Sequence, residues 1–352
     1  MTGDGIATVA RQELRLRLRA GRWRVLLGVW FALLLLFTAL LQLAVGRLDS
    51  GEAHDKGIVV YGGLVLLVLG LALLVVPALA AQSINGDRER GTLATLQVTR
   101  LSAGDIALGK FAAAWGTGLV FLLVTLPLVV FCMTQGGVPL ARVVVVTVVL
   151  AVLLGTVSAL ALALSALLAR TTTSGVLSYL AVFALVFGTL IAFGLATAVT
   201  AETHQETFDN QCPPQAQECQ AGPQTYTTTR TRTDRTWWLL APNPFVVLAD
   251  AAPQLAPLTA AQQADRERLA QQGSGTTDLR DADPLGQLGR TLRNLRRPPQ
   301  PDGTPTPPAD LRRPVWPYGL AFDVLLAVGA LALTTRRLRT PSTRLPRGQR
   351  IA

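Results

Sequence analysis

The sequence predicts an all-α polytopic membrane protein. Six transmembrane helices leave both termini on the cytoplasmic side, with a long, mixed or irregular extracytoplasmic segment between spans five and six. Three observations support this. Half of the 352 residues are hydrophobic and only 15% are charged, against about 25% charged in an average soluble domain. The apolar residues are gathered into blocks of bilayer-crossing length. The positive charge, nearly all arginine, collects at the ends of these blocks. It forms no aromatic-interleaved patch, so the net charge of +10 is not read as a nucleic-acid footprint.

A bilayer core takes about 20 residues of helix, and six stretches qualify: 25–45, 58–80, 111–133, 143–168, 175–199 and 315–334. The first five carry no charge. The sixth holds Asp323 and opens around Pro314 and Pro317. Arginine in short flanks sets the orientation. Arg11, Arg15, Arg17, Arg19, Arg22 and Arg24 precede span one, and a further basic cluster from Arg336 to Arg350 follows span six. Arg88, Arg90, Arg100 and Lys110 lie between spans two and three, and Arg170 between four and five. On the opposite side Arg47 and Lys56 are offset by Asp49, Glu52 and Asp55, leaving Arg142. The chain therefore divides into 1–200 (N-terminal cytoplasmic helix, spans one to five and a cytoplasmic loop at 82–110), 201–314 (extracytoplasmic) and 315–352 (span six and a basic cytoplasmic tail).

Residues 237–258 are apolar enough to suggest a seventh span. Four prolines and Asp250 interrupt them, and another crossing would export the basic C-terminus. The stretch reads as an interfacial or re-entrant segment, with Trp237 and Trp238 at headgroup level. Earlier in the outer segment, threonine alternating with arginine over 225–236 favours an extended strand. Asp283 is placed to cap a helix with Pro284 at its first position. Leu285, Leu288, Leu292 and Leu295 stripe that helix beside Arg290, Arg293, Arg296 and Arg297. It either lies on the outer leaflet or packs against the rest of the segment. Residues 298–314 read as a proline-rich linker. Cys212 and Cys219 flank Pro213 and Pro214, with a spacing that allows a small disulfide loop on the oxidising side. Cys132 sits in span three as a small hydrophobe.

Groups for covalent chemistry are sparse. The histidines, His54 and His204, are isolated in outer connections and give neither metal-site spacing nor a Ser-His-Asp set. No catalytic, metal-binding or cofactor-binding residue is expected. Gly104 to Lys110 (GDIALGK) matches most of a phosphate-binding loop, but Phe111 replaces the Ser or Thr that would bind magnesium and no strand precedes it. Asp323 either lines a path through the bundle or sits near the outer end of span six and reaches water. Gly116, Gly118, Gly155, Ser158, Ala159 and Gly188 suit close helix packing.

The loop at 82–110 carries the most information. A charged cluster, Asp87-Arg88-Glu89-Arg90, precedes Gly91 and a mildly amphipathic run with Leu93 and Leu96. Ser102 and Asp105 form a capping-box pattern for the helix leading into span three. Ser83, the run Asp87-Arg88-Glu89-Arg90-Gly91-Thr92-Leu93, then Leu96, Thr99, Ser102 and Gly109-Lys110 together resemble ABC-2-type (type-2 exporter) ABC transporter permeases. In that family this stretch also joins the second and third of six spans. The run VARQELRLRLRAGRWRVLL looks like the family's amphipathic helix before span one. The long insertion after span five and Asn243-Pro244-Phe245 are compatible with it. The resemblance covers the six-span plan, whereas the specific motif occupies only 82–110. Arg100 stands where the family often has proline, which alters the turn before Leu101 and Ser102.

The resemblance implies a permease subunit in a bacterial plasma membrane that pairs with a second permease subunit, as homodimer or heterodimer, and binds cytoplasmic ABC ATPase subunits. ATP would be hydrolysed there, so this chain would not itself be an enzyme. Glu89, Arg90, Gly91, Thr92 and Leu93 are the implied ATPase contact, with Asp87 and Arg88 beside them. The expected function is ATP-driven transport, in the export (efflux) direction, of a substrate the sequence does not identify. The alternative is a non-transporting assembly or sensing protein acting through 201–314. An intramembrane enzyme would need a second polar group near Asp323, and the other five spans supply no charged one.

Overall fold

A computed structural model of the chain describes residues 2–19, 21–48, 56–93, 101–210, 222–253, 264, 268, 282–297 and 314–339. Six of its helices are long and apolar enough to cross a membrane, as the hydropathy predicts. The amphipathic α1 (Gly3–Arg19) precedes the first of them, α2 (Gly21–Leu48), and then α3 (Lys56–Ala80). A short helix, α4 (Asn85–Glu89), leads towards α5 (Ala103–Thr134) and α6 (Leu140–Leu167). The fifth long helix, α7 (Thr171–Val199), contains a π-helical turn at Ala184–Gly188.

The helices outrun the apolar blocks where polar signals extend them. α5 begins at Ala103 because the capping box forms as read: Ser102 Oγ accepts from the Asp105 amide at 3.2 Å, and the Asp105 carboxylate accepts from the Ser102 amide at 3.0 Å. Its 32 residues span about 48 Å at 1.5 Å each, well beyond a hydrocarbon core of about 30 Å.

α3 and α6 are the most enclosed, α2 and α7 the least. α3 packs against α2, α5 and α6, and α6 also carries the last helix, α11 (Trp316–Arg339). Large apolar side chains such as Leu36, Leu40, Phe187, Ile191, Leu325 and Val328 point outwards. That many exposed apolar groups on long helices suits a lipid surface. Among the small residues singled out above, Gly118 lies against Leu154 and Val76, and Gly155 against the Trp115 ring. The nearest neighbour of Gly188 is its own helix, at Ala184. The closest approaches are elsewhere. A methyl at Gly57 would strike the Cys132 and Gly136 carbonyls, and one at Gly319 the Ala241 carbonyl.

The segment between the fifth and sixth long helices is built partly apart from the bundle and partly into it. β1 (Glu202–Asn210) and β2 (Gly222–Arg230) form an antiparallel hairpin in register from Glu202 opposite Arg230 to Asn210 opposite Gly222. The strand expected over 225–236 stops at Arg230, and the chain turns helical in α8 (Thr233–Thr236). Arg232 is the reason: its guanidinium bonds both oxygens of Asp234 at 3.1 Å and reaches Glu202 at 3.0 Å, clasping the turn to the hairpin foot. Those bonds raise the Arg232 guanidinium and hold the Asp234 carboxyl below the usual carboxylate range.

Of the stretch 237–258, the described residues, 237–253, hold no helix long enough to span, and apart from Trp238 they are buried or half-buried. A 3-10 turn (Trp237–Leu239) leads to α9 (Pro244–Ala251), where Asn243 accepts from the Phe245 amide at 2.9 Å with Pro244 at the first helical position. α9 is buried against α6, α11 and α10 (Pro284–Asn294). Trp237 is half-buried beneath the Arg296 guanidinium at 4.3 Å, while Trp238 is exposed. α10 takes the packed alternative rather than the leaflet surface. Leu285 and Leu292 are buried, Leu288 faces out, and Arg293 turns inwards. Asp283 sits at the capping position, but its carboxylate is drawn away to Arg142 and caps nothing. Cys212, Cys219, Arg100, His54, residues 298–313 and the tail from 340 lie outside the described residues.

Candidate functional site

The described part of the loop after α3, up to Leu93, becomes a fixed structure because its polar groups find partners on three other helices. Ile84 plugs a small apolar cluster with Leu93, Ile106, Leu162, Ala166 and Leu338, so the loop is seated on α5, α6 and α11. The amides of Ile84 and Asn85 begin a helical turn and need acceptors. Ser165 Oγ of α6 takes both, at 3.1 Å each. Arg88 Nη1 donates to the Leu168 carbonyl at 3.3 Å, just past the end of α6. Glu89 accepts from the Thr171 amide at 3.2 Å and its hydroxyl at 3.4 Å, placing a carboxylate on the first residue of α7. α4 is thereby bolted to the α6–α7 corner at both ends. Gly91 then reverses the chain at a φ of 73°, in the left-handed region that a side chain disfavours.

A second set of contacts ties α4 to α5 and α1. Lys110, two turns into α5, is 1% exposed. Its Nζ meets the Asp87 carboxylate, donates to the Ser83 carbonyl at 2.9 Å, and lies 3.6 Å from Glu13 of α1. A buried ammonium is tolerated only with such partners. The other Asp87 oxygen accepts from Arg90 Nη2 at 3.0 Å. α1 runs along the start of α5: the Thr2 amide donates to Asp105 at 2.9 Å, Val9 fills the space left by Gly109, and Arg17 donates to Thr117 at 3.4 Å.

The seven residues of the motif are thus brought together but not on one face. Glu89, Arg90 and Thr92 are exposed, Arg88 and Gly91 are half-buried, and Asp87 and Leu93 face inwards. The GDIALGK stretch lies wholly within α5, with its lysine committed to this ion cluster. Nothing in the order of residues marked Glu13 or Ser165 as members of the site. The buried Lys110 was the available signal, since a lysine at the start of an apolar run demands a counter-charge.

At the opposite end of the bundle two further buried pairs join the segment between the fifth and sixth long helices to the spans. Arg142 of α6 donates to both oxygens of Asp283, at 2.8 and 2.6 Å. Arg293 of α10 donates to Asp250 of α9 at 2.6 Å, and the other Asp250 oxygen accepts from the Val315 and Trp316 amides at 2.5 and 2.8 Å, capping α11. Asp323 is 2% exposed and faces α6, where its carbonyl accepts from Thr156 Oγ1 at 3.2 Å. Its Oδ2 has no hydrogen-bond partner among the described residues. Those residues hold no group of three or more His, Cys, Asp or Glu side chains fit to bind a metal.

The sequence profile described as ABC-2 family transporter protein matches residues 7–279, which takes in most of α1, the first five spans, α4 and α9. No curated protein matches the chain at a significant level.

Proposed function

Since the chain belongs to the ABC-2 family of transporter proteins and is a multi-pass membrane permease of that kind, we propose that it is the moving half of an ATP-driven exporter whose ATPase is a separate polypeptide. Both termini and the α4 loop face the cytoplasm, in keeping with the arginines that flank α2, α4 and α11. A cytoplasmic ATPase subunit docks on the exposed side of α4, through Glu89, Arg90, Gly91 and Thr92. Leu93 holds the loop in its apolar seat, while Asp87 and Arg88 carry the load into the bundle. Two such permease subunits, identical or not, pair in the bilayer with two ATPases.

One observation carries this reading. α4 is a single helical turn with an exposed charged face, yet its residues are bonded to α5, α6 and α7 at once. A push on it must therefore be shared by three spans. Closure of the ATPases around nucleotide would supply that push, and the bundle would switch access from one side of the membrane to the other. The buried pairs at the far end make α9 and α10 part of the same body, which favours transport over a free-standing sensing segment.

The test is affinity purification of the full chain from its native membrane. An ABC ATPase subunit should be captured with it, ATP turnover should follow the complex, and the chain alone should have none. Arg90→Glu, which reverses the exposed charge, should reduce capture by about tenfold or more. Recovery of the intact chain without any ATPase subunit would remove the proposal.

A further inference from the structure

The cluster around Lys110 does more than neutralise a buried charge. Its anionic and carbonyl partners come from outside α5: Asp87 on α4, the Ser83 carbonyl before α4, and Glu13 on α1. The start of α5 is already terminated by the capping box, so the lysine is not required to begin that helix. Apolar packing of Val9 on Gly109 also joins α1 to α5, but such contacts are non-directional and let surfaces slide; the hydrogen bonds from Thr2 to Asp105 and from Arg17 to Thr117 hold the two helices together without involving α4. A buried ion pair has one good geometry and a heavy penalty for leaving either partner alone.

The cluster also has an arm in solvent. Arg90 is 68% exposed, on the side of α4 assigned to the ATPase, yet it shares Asp87 with Lys110. An acidic group on a docked partner that takes Arg90 would leave Asp87 wholly to Lys110. On the other side Glu13 is held by Arg17 at 3.3 Å, and Arg17 reaches back to Thr117 of α5. The sequence of contacts therefore runs from an exposed cation, through a buried pair, to an N-terminal helix that has no direct bond to α4 among those described.

We propose that Lys110 is a positioning residue that turns a shift of α4 into a joint shift of α5 and α1, with Asp87 and Glu13 as its two anionic arms. This rests on the assignment of α4 as the ATPase docking site. When α4 moves, Lys110 must follow Asp87 or remain buried with less counter-charge; Glu13 draws α1 along with it.

Hydrogen exchange of the full chain with its captured ATPase in lipid nanodiscs tests this, with and without a non-hydrolysable ATP analogue and magnesium. In the wild-type complex nucleotide should change exchange both in 82–93 and in 3–19. In Lys110→Met the response of 82–93 should remain while that of 3–19 falls about fivefold or more, and Lys110→Arg should restore it. Glu13→Gln neutralises the arm to α1, together with its pairing to Arg17, and spares the buried Asp87 pair. It should give the same selective loss even if Lys110→Met fails to assemble. A wild-type response of 3–19 in Glu13→Gln or in an assembled Lys110→Met would overturn the proposal while leaving the docking site in place. A wild-type chain that captures no ATPase would overturn the docking site, and this inference with it.

Discussion

Individual buried charges decide how this protein is held together at its ends. Arg142 and Asp283 are each 1% exposed, and neither could be desolvated alone without a large cost. Arg142→Ala would strand the Asp283 carboxylate and should cost about 3–5 kcal/mol. Arg142→Met combined with Asp283→Asn removes both charges and should recover much of that loss. Thermal unfolding in detergent, read for both variants, checks the difference; equal losses would mean that the pair contributes through packing and not through charge. Asp283 also shows where reading one residue at a time fails. Its position before Pro284 has the form of a helix cap, and the backbone places it there, but the competing guanidinium is 141 residues away and takes the side chain. Asp250 is a similar case. It reads as an interruption in an apolar stretch, and becomes the cap of the sixth span and the partner of Arg293.

Short elements depend on neighbours more than on their own propensity. α4 is five residues long, far below the length at which an isolated helix holds in water. Its existence rests on Ser165 at one end, Glu89 on Thr171 at the other, and the turn at Gly91. Gly91→Ala would place a side chain at a positive φ and should cost about 1 kcal/mol or more locally. Faster hydrogen exchange in 82–93 and weaker ATPase capture should accompany it; unchanged exchange would show that the turn can be remade without glycine. The α5 start behaves in the opposite way. Its capping box lies within four consecutive residues, so it was legible in advance and formed as read. α10 falls between the two. Its leucine stripe was visible, but choosing between a lipid surface and a protein surface required α9 beside it.

The bundle as a whole is a moving part only if its two ends lie on opposite sides of the membrane in the sense proposed. With Cys212 and Cys219 replaced by serine, a membrane-impermeant thiol reagent should label Trp238→Cys in intact cells. It should label Arg90→Cys only after permeabilisation, by at least about tenfold. The reverse pattern would invert the topology and remove cytoplasmic docking on α4. The exposed apolar faces of α2, α7 and α11 are the surfaces left to lipid and, in the arrangement proposed above, to a second permease subunit.

Span number, span position and the cap of α5 follow from the order of residues along the chain, because apolar length and a four-residue hydrogen-bond pattern are local quantities. The family pattern at 82–93 was legible for the same reason. Which buried charge meets which, and which glycine permits contact, depended on helix rotation and approach, which no local pattern encodes. Lys110 with Asp87 and Glu13, Arg142 with Asp283, and Asp250 with Arg293 and the start of α11 were therefore settled by packing. So were the close approaches at Gly57 and Gly319. A charge excluded from water must find its partner in three dimensions, and that partner can lie anywhere in the chain.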